Sequence, residues 1–243
     1  MKTLDRVLSK AGVTSRTDAR QWIVDGRVDV NGRTVRDPSH WVDMARDRVR
    51  VDGRPLGQTK RVDLLLHKPT GCVTTRRDPE GRRTVYDLIA DVGAFVSPVG
   101  RLDRDTSGLL IMTNDTQFAE RVTNPRSGVP KTYLVKTSRR LTDEELQRLR
   151  DGVELSDGPT LPARVTRVRE SGRHTDLEIV LTEGRNRQVR RMIDAVGARV
   201  RRLVRVRIGS IPIGALTAGS WRPLTTAELR AIGGWRVSRA PRS

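Results

Sequence analysis

The spacing of apolar residues predicts two short helices at the start of the chain. In residues 3–11, apolar side chains recur every three or four positions, at Leu4, Val7, Leu8 and Ala11. Gly12 follows and ends this helix. A second helix begins at Ser15, because this residue can cap it and Asp18 gives a start similar to a capping box. It ends at Gly26, and its inward face is Ala19, Trp22 and Ile23.

Alternating apolar and polar residues then predict two short strands. Val28 and Val30 alternate with polar residues and lead into the hairpin signal Asn31-Gly32. Residues 48–51 are predicted to form a second strand, which ends at the turn pair Asp52-Gly53. Residues 1–55 are therefore expected to form a compact helix–helix–strand–strand unit, and residues 56–61 a linker.

The rest of the chain mixes helix and strand patterns in irregular order and is expected to form one domain over 62–236. Strands are predicted at 62–67, 109–113, 132–137, 165–168, 177–181 and 203–208. Helices are predicted at 84–89, 116–122, 142–151, 186–196 and 225–232. Because strands and helices do not alternate regularly, the expected fold class is α+β with a largely antiparallel sheet. Residues 237–243 are polar and basic and are expected to be disordered.

Composition adds a strong imbalance of charge. The chain has 243 residues, and its 47 Lys and Arg against 29 Asp and Glu give a net charge of +18. All but six of the basic residues are Arg, whose planar, bidentate guanidinium suits phosphate. The excess predicts a nucleic-acid partner. An anionic membrane surface is disfavoured, because no basic amphipathic helix with large apolar residues stands out.

Several other classes of protein are disfavoured by what the sequence lacks. Cys72 is the single cysteine, so no disulfide framework is expected. No apolar run has the length of a membrane span or the place of a signal peptide, so a cytoplasmic protein is expected. The three histidines and Cys72 lie far apart without ligand spacing, so no metal is expected. No nucleotide-binding Gly-rich loop occurs, and no cofactor is expected. A Ser-His-Asp arrangement stays open, although no Gly-x-Ser-x-Gly elbow is present.

The loop at 100–108 carries the first candidate chemistry. Asp103 and Asp105 alternate with Arg101 and Arg104 directly before an apolar strand, and Leu102 can anchor the loop in the core. A carboxylate beside Arg stays ionised at neutral pH, which suits a nucleophile or a base. The same pattern also occurs in ordinary salt-bridged turns.

A second candidate is the basic stretch 182–192, where a helix is expected to begin near Asn186. Its first turns favour anions and carry four arginines, which are Arg185, Arg187, Arg190 and Arg191. They could contact phosphates, with one turned towards a buried carboxylate, or form a solvated basic face. Tyr133, which opens a predicted strand, could pack in the core or stack on a base.

These residues together resemble a known family, the ribosomal RNA pseudouridine synthases of the RsuA/RluB type. The resemblance rests on Gly-Arg-Leu-Asp at 100–103, Lys-Thr-Tyr at 131–133 and the basic run 183–192. Lys-Pro-Thr-Gly at 68–71 and Trp-Arg-Pro-Leu-Thr at 221–225 also fit. The first 55 residues resemble the small RNA-binding module of ribosomal protein S4. The matches cover nearly the whole chain.

The resemblance implies an isomerase that converts uridine in ribosomal RNA to pseudouridine. It implies that Asp103 is the catalytic carboxylate, which either attacks the anomeric ribose carbon or removes a proton from the neighbouring carbon. Arg101 is implied to hold the RNA with the base extruded, Tyr133 to pack against uracil, and Arg190 to pair with Asp103. Asp105 is interpreted as structural. No metal or cofactor is required, in agreement with the motifs that are absent.

The resemblance also bears on RNA binding and on the target. Arg16, Arg20 and Arg27 are expected to contact RNA phosphates from the N-terminal module. The run of arginines at 185–191 is closer to the large-subunit enzymes than to the small-subunit enzyme. A small-subunit target, a non-catalytic RNA-binding assembly protein and a hydrolase of N-glycosides stay as alternatives, and a monomer is assumed.

Overall fold

The computed structural model describes residues 1–57 and 60–233. The predicted tail at 237–243 and two residues of the predicted linker lie outside this part of the chain. The described residues form two compact units: 1–63 with 90–98 and 112–119, and 64–89 with 99–111 and 120 onward. No helix in the described residues is long and apolar enough to cross a membrane.

The N-terminal elements are short and alternate tightly with turns. In chain order they are β1 Lys2–Thr3, α1 Leu4–Lys10, α2 Arg16–Val24, β2 Val28–Val30, β3 Arg33–Thr34, β4 Trp41–Val42, β5 Val49–Val51 and β6 Arg54–Pro55. As predicted, the Ser15 hydroxyl caps α2 by accepting from the Asp18 N–H at 3.0 Å.

The strands of this unit form a four-stranded antiparallel sheet in the order β3-β2-β5-β6, while β1 pairs with β4. Both predicted turns have left-handed backbone at two successive residues, with φ of 55° and 80° at Asn31-Gly32 and 49° and 76° at Asp52-Gly53. Such turns match the twist of a hairpin. The helices and strands bury one apolar cluster that includes Leu4, Leu8, Ile23, Val28 and Val49.

The remaining elements are longer. They are β7 Asp63–Lys68, β8 Ser97–Pro98, β9 Ser107–Thr113, α3 Thr116–Thr123, a 3₁₀ turn at Pro125–Ser127, β10 Lys131–Thr137, α4 Asp143–Asp151, β11 Glu154–Leu155, β12 Gly158–Pro159, β13 Arg164–Ser171, β14 His174–Leu181, α5 Gln188–Ala195, β15 Val200–Ile208, β16 Ile211–Pro212, β17 Trp221–Pro223 and α6 Thr226–Gly233. All six strands predicted after residue 61 are confirmed.

The main sheet follows the order β13-β14-β10-β15-β9-β7-β17. Its pairs from β13 to β15 and the pair β7–β17 are antiparallel, whereas β15 runs parallel to β9. The expected α+β class with a largely antiparallel sheet is therefore confirmed. One face of β10, β14 and β15 packs with α4 and α5 into a second apolar cluster, which includes Val135, Leu149, Leu177, Met192 and Ile193.

The predicted helix at 84–89 is wrong. Thr84 forms a bridge with Val73, and the Val85 N–H donates to the Val73 carbonyl at 3.0 Å. Asp87 accepts from the Thr84 N–H at 2.7 Å, which favours a turn. Val85 and Ile89 are buried as a helix would require, but six residues are too short to form a helix against these competing bonds.

The helix predicted from Asn186 begins later, at Gln188. Arg187 precedes it in the left-handed conformation, with φ of 47°. Two features had no clear signal in the sequence. The three residues of β17 pair with the middle of β7, and β13 continues three residues beyond its apolar pattern, past a bulge near Arg167.

Candidate active site

The loop that carries Asp103 is anchored on both sides of this residue. Leu102 is buried, and its carbonyl accepts a hydrogen bond from the Thr74 hydroxyl at 2.7 Å. The Leu102 N–H donates back to the same hydroxyl at 3.3 Å. On the other side, the Thr106 N–H donates to the Asp103 carbonyl at 3.1 Å. Asp103 therefore projects from a segment whose backbone is fixed.

The segment 68–71 fixes this loop through hydrogen bonds to its backbone carbonyls. Lys68 is fully buried, and its Nζ donates to the carbonyls of Thr106 at 2.8 Å and Pro69 at 2.9 Å. The Gly71 N–H donates to the Arg104 carbonyl at 2.8 Å. Burial lowers the pKa of Lys68 to about 8, although the charges of Asp103 and Asp105 act in the opposite direction.

A glycine fixes the strand that follows the loop. Gly108 lies at the start of β9 with φ of 117°, where β9 pairs with β15. A Cβ at this position would lie 2.2 Å from the Arg205 carbonyl oxygen, so only glycine permits the close approach. Arg205 is itself buried, and its Nε donates to the Leu109 carbonyl at 2.8 Å. The loop is thus tied to the centre of the sheet.

Asp103 lies in a cavity of about 350 Å³. Its side chain is 30% exposed, so the carboxylate is within reach of a ligand. The walls include the candidate residues Arg101, Tyr133, Arg185 and Arg187, with Leu181 and Leu203 as apolar surface. Tyr133 is half-buried on β10, and Arg101 is exposed at the rim. The structure therefore brings together predicted residues that lie far apart in the sequence.

The pairing of acids and arginines corrects one expectation. Arg190 does not pair with Asp103; it contacts Asp105, with Nη2 3.2 Å from the carboxylate and 3.0 Å from the backbone carbonyl. Arg187 is the residue near Asp103, at 3.8 Å between Nη1 and Oδ2. It also bonds both Asp105 oxygens, at 3.2 and 3.3 Å. The departure follows from the later start of α5, since Arg187 lies outside the helix with a left-handed backbone.

The two carboxylates are therefore not equivalent. Burial alone would raise the pKa of Asp105, but the hydrogen bond from Arg187 and the charges of Arg190 and Arg187 outweigh it and lower this pKa. The same bond raises the pKa of Arg187. Within the described residues, no donor makes a hydrogen bond to the carboxylate of Asp103. Asp105 is held in an ionic network, whereas the oxygens of Asp103 are available to a substrate.

The other arginines of the basic run are engaged by protein acceptors. Arg185 donates to the carbonyls of Gly158 at 2.8 Å and Pro159 at 2.5 Å, and to Glu183 at 3.1 Å. Arg191 pairs with both oxygens of Asp157, at 2.8 and 3.1 Å. A phosphate would have to compete with these acceptors. Both arginines hold the turn between β11 and β12 close to α5.

The three predicted arginines of the N-terminal unit have different partners. Arg16 and Arg20 both donate from Nε to Oδ2 of Asp5, at 2.8 and 2.9 Å. Arg27 pairs with Asp52 through Nε and Nη2, and it lies over the Trp22 ring at 4.6 Å. All three side chains stay 40–56% exposed.

Sequence reasoning missed several supporting residues. Thr74, which holds the Leu102 backbone, lies in a polar stretch without a periodic signal. Gln188 is buried and bonds Glu183 and the Arg185 N–H, which shapes the start of α5. A buried glutamine beside a glutamate is invisible in a pattern of charges. Among the described residues, no group of three or more His, Cys, Asp or Glu could hold a metal ion.

Comparison with protein families gives two matches along the chain. Residues 63–195 match the RNA pseudouridylate synthase family, and residues 2–49 match the S4 domain. A solved structure described as a pseudouridylate synthase superposes with a TM-score of 0.69 at 28% identity, covering 96% of this chain and all of the other.

Curated relatives match over almost the full length. An uncharacterized RNA pseudouridine synthase of Aquifex aeolicus is 42% identical over 231 residues, covering 94% of this chain and 92% of the relative. The ribosomal large subunit pseudouridine synthases B of Bacillus subtilis and Escherichia coli K12 are 35% and 37% identical. The match to the B. subtilis protein covers 96% of this chain and 96% of that protein. The match to the E. coli protein covers 93% of this chain and 80% of that protein. The chain belongs to the RNA pseudouridine synthases, which are isomerases, and carries an S4 domain at its amino terminus.

Proposed function

We propose that this enzyme converts a specific uridine of large-subunit ribosomal RNA to pseudouridine, with Asp103 as its catalytic residue. The observation that supports the role of Asp103 most strongly is its carboxylate, which lines the cavity without a hydrogen-bond donor of its own among the described residues. The large-subunit target is inferred from the relatives of B. subtilis and E. coli, whose names specify that subunit.

The chemistry requires one carboxylate and no net redox change. The bond between uracil N1 and ribose C1′ breaks, the base turns, and a bond forms between C5 and C1′, while C5 loses its proton and N1 gains one. Asp103 either attacks C1′ directly and is displaced when C5 bonds to C1′, or removes a proton from C2′ that returns to C2′ when C5 bonds to C1′. Both routes need the ionised acid next to the sugar. RNA mass is unchanged, because no atom is gained or lost overall.

The cavity suits a nucleotide that has left its stack. Extrusion costs a few kcal/mol, so contacts in the cavity must compensate for lost stacking. Tyr133 offers a half-buried aromatic surface for the uracil, and Arg101 at the rim offers a guanidinium for the neighbouring backbone. Arg187 is 46% exposed and lies beside Asp103, so it is within reach of the phosphate of the extruded nucleotide, which would compete with Asp105 for it.

The Asp105 network has a supporting role in this proposal. Arg190 is only 13% exposed and bonds the backbone and the carboxylate of Asp105. It therefore holds the loop in which Asp103 lies and acts through that loop rather than on the substrate. Arg185 and Arg191 add positive potential near α5 while they stabilise its surroundings.

We further propose that residues 1–55 act as an RNA-binding module, joined through 56–61 to a catalytic domain over 62–236. Arg16, Arg20 and Arg27 would contact phosphates of folded RNA, which position the enzyme without reading the sequence. The protein is expected to act in the cytoplasm as a monomer, without a metal or cofactor.

The product chemistry tests this function. Full-length enzyme is incubated with protein-free large-subunit and small-subunit ribosomal RNA labelled with tritium at uracil C5. We expect tritium release and pseudouridine at one position of the large-subunit RNA, with no free uracil. Free uracil would identify a hydrolase of N-glycosides, and release from the small-subunit RNA alone would contradict the proposed target.

A further inference from the structure

A buried acid lies beneath two exposed arginines of the N-terminal unit. Asp5 is 1% exposed and lies on α1 next to the fully buried Leu4. It accepts hydrogen bonds from the Thr3 hydroxyl at 2.6 Å and from the Nε atoms of Arg16 and Arg20. Burial would raise the pKa of Asp5, but these three donors lower it well below its usual range. The acid is therefore ionised in the folded protein.

The bonding pattern places the two guanidiniums side by side. Both Nε atoms bond the same oxygen, Oδ2, at 2.8 and 2.9 Å, so they lie within about 6 Å of each other. Arg16 and Arg20 are one helical turn apart on α2, which puts them on one face. Their side chains are 49% and 56% exposed.

The outer part of each guanidinium remains available. A guanidinium has five N–H donors, and only the one at Nε is used by Asp5. Within the described residues, the Nη atoms of Arg16 and Arg20 have no hydrogen-bond partner. Two arginines and one aspartate carry a net charge of +1, which balances the single negative charge of a phosphodiester.

We propose that Asp5 is a positioning residue, which assembles Arg16 and Arg20 into a single site for one phosphate of the RNA backbone. The proposal rests on the RNA-binding role of this unit given above and adds the residue that builds its site. Without the carboxylate, the two cations repel each other and lose the bond that directs their Nη groups outwards.

The pair of Arg27 and Asp52 in the same unit provides a matched contrast. Asp52 is 51% exposed and accepts from both Nε and Nη2 of Arg27, so a phosphate that binds this edge of Arg27 has to displace Asp52. Removal of the Asp52 carboxylate therefore frees the edge of Arg27 for phosphate, whereas removal of the Asp5 carboxylate separates Arg16 from Arg20. Both Asp→Asn substitutions raise the net charge by one unit, so nonspecific attraction to RNA increases equally in the two variants.

The test compares Asp5→Asn and Asp52→Asn in the full-length enzyme. Binding to large-subunit ribosomal RNA is measured by filter retention over a series of salt concentrations. We expect Asp5→Asn to weaken binding about tenfold. The slope of the logarithm of the binding constant against the logarithm of salt concentration should fall by the amount that corresponds to about one phosphate contact. Asp52→Asn should bind as tightly as the wild type or more tightly. Equal strengthening by both substitutions would overturn the proposal.

Two further variants separate positioning from a general effect on folding. In the background Arg16→Ala with Arg20→Ala, we expect Asp5→Asn to cause no additional loss of affinity. The double substitution Arg16→Lys with Arg20→Lys keeps both charges and the buried acid but removes the Nε donors and the guanidinium forks. We expect it to weaken binding about tenfold.

The outcomes also distinguish this inference from the proposed function. If the double alanine variant weakens binding and Asp5→Asn does not, the positioning role of Asp5 fails alone. A further loss from Asp5→Asn in the double alanine background would identify a merely structural residue and overturn the inference. If the double alanine variant binds RNA normally, the proposed RNA-binding role of these arginines fails, and the positioning role of Asp5 fails as well. The catalytic proposal is judged separately, because it is tested by tritium release from uracil C5 in the Asp103→Asn variant, in which Asp5, Arg16 and Arg20 are unchanged.

Discussion

At the scale of single residues, Asp103 and Asp105 have the same chemistry and different surroundings. Asp105 is tied to Arg187 and Arg190, and the pKa of its carboxyl is lowered by them against the effect of burial. Asp103 has one guanidinium at 3.8 Å and faces the cavity. The sequence shows both acids beside arginines, and only the fold distinguishes the acid that is held from the acid that is available.

The two arginines near these acids are predicted to have separable effects. Arg190→Ala should lower kcat about 10- to 100-fold, because it loosens the loop that positions Asp103. RNA affinity should change little, since Arg190 is nearly buried. Arg187→Ala should chiefly raise KM, because its exposed guanidinium is placed to bind phosphate. Steady-state kinetics with a ribosomal RNA fragment measure both, and the reverse assignment of the two effects would contradict this account.

Lys68 gives a pH-dependent prediction. Its pKa is about 8 in the folded protein, against 10.5 for an ordinary lysine. Between these values the unfolded chain holds a proton that the folded chain has released, so the free energy of unfolding attributable to Lys68 rises with pH. The slope is at most about 1.4 kcal/mol per pH unit.

Urea unfolding of the wild type and Lys68→Met from pH 7 to 10.5 measures this contribution. Above pH 8, the free energy of unfolding should rise less steeply with pH in Lys68→Met than in the wild type, and the difference in slope should correspond to at most one proton. Lys131 has the same lowered pKa because of burial, and it contributes equally to both proteins, so it cancels in the comparison. An identical pH dependence in the two proteins would show that Lys68 is not buried as described.

At the scale of secondary structure, periodicity predicted the long elements and failed where local bonds compete with it. Six strands of the main sheet were predicted from the sequence, whereas β17 was not, and α4 begins with a capping box of Thr142 and Glu145, a pair typical of helix starts. The segment 84–89 has apolar residues at helical spacing, yet its backbone bonds to Val73 and to Asp87. The spacing of two apolar residues shows which side chains are buried, and it does not by itself distinguish a helix from a packed turn.

The beginning of α5 illustrates the same limit in the site. The sequence placed four arginines in its first turns, but it gave no sign that Arg187 would adopt a left-handed backbone outside the helix. That single residue decides which guanidinium lies near Asp103. The contact partners of Arg185 and Arg191, at the turn between β11 and β12, were equally hidden because they are largely backbone carbonyls and an exposed aspartate.

Gly108 is predicted to be indispensable for the pairing of β9 with β15. In Gly108→Ala the added Cβ would collide with the Arg205 backbone, and the residue would keep a φ of 117°. The free energy of unfolding should fall by about 2–5 kcal/mol, since overpacking and backbone strain add together. Urea denaturation measures the change. Gly93→Ala, with no atom within 4 Å of its Cβ, is the control and should change stability by less than about 1 kcal/mol.

At the scale of the whole molecule, the net charge of +18 and the N-terminal module point to RNA, while the proposed chemistry involves a small region whose charge is largely balanced. The cavity is lined by Asp103 and Glu183 beside Arg101, Arg185 and Arg187, so its acids offset most of the local positive charge. Charge along the chain could therefore be used to predict the partner from the sequence, but not the geometry that makes one acid reactive. The family motifs indicated Asp103 as the proposed catalytic residue, and the fold adds that its carboxylate lines the cavity and accepts no hydrogen bond from the described residues.

The most direct measurement of the central claim compares Asp103→Asn, Asp105→Asn and wild-type enzyme in tritium release from C5-labelled large-subunit ribosomal RNA. Asp103→Asn should abolish release while keeping its thermal stability and RNA affinity, since within the described structure its carboxylate accepts no hydrogen bond and has only the long contact of 3.8 Å with Arg187. Asp105→Asn should be slower than the wild type but measurable, because Asp105 only supports the loop. Turnover by Asp103→Asn, or loss of turnover by Asp105→Asn alone, would contradict the assignment.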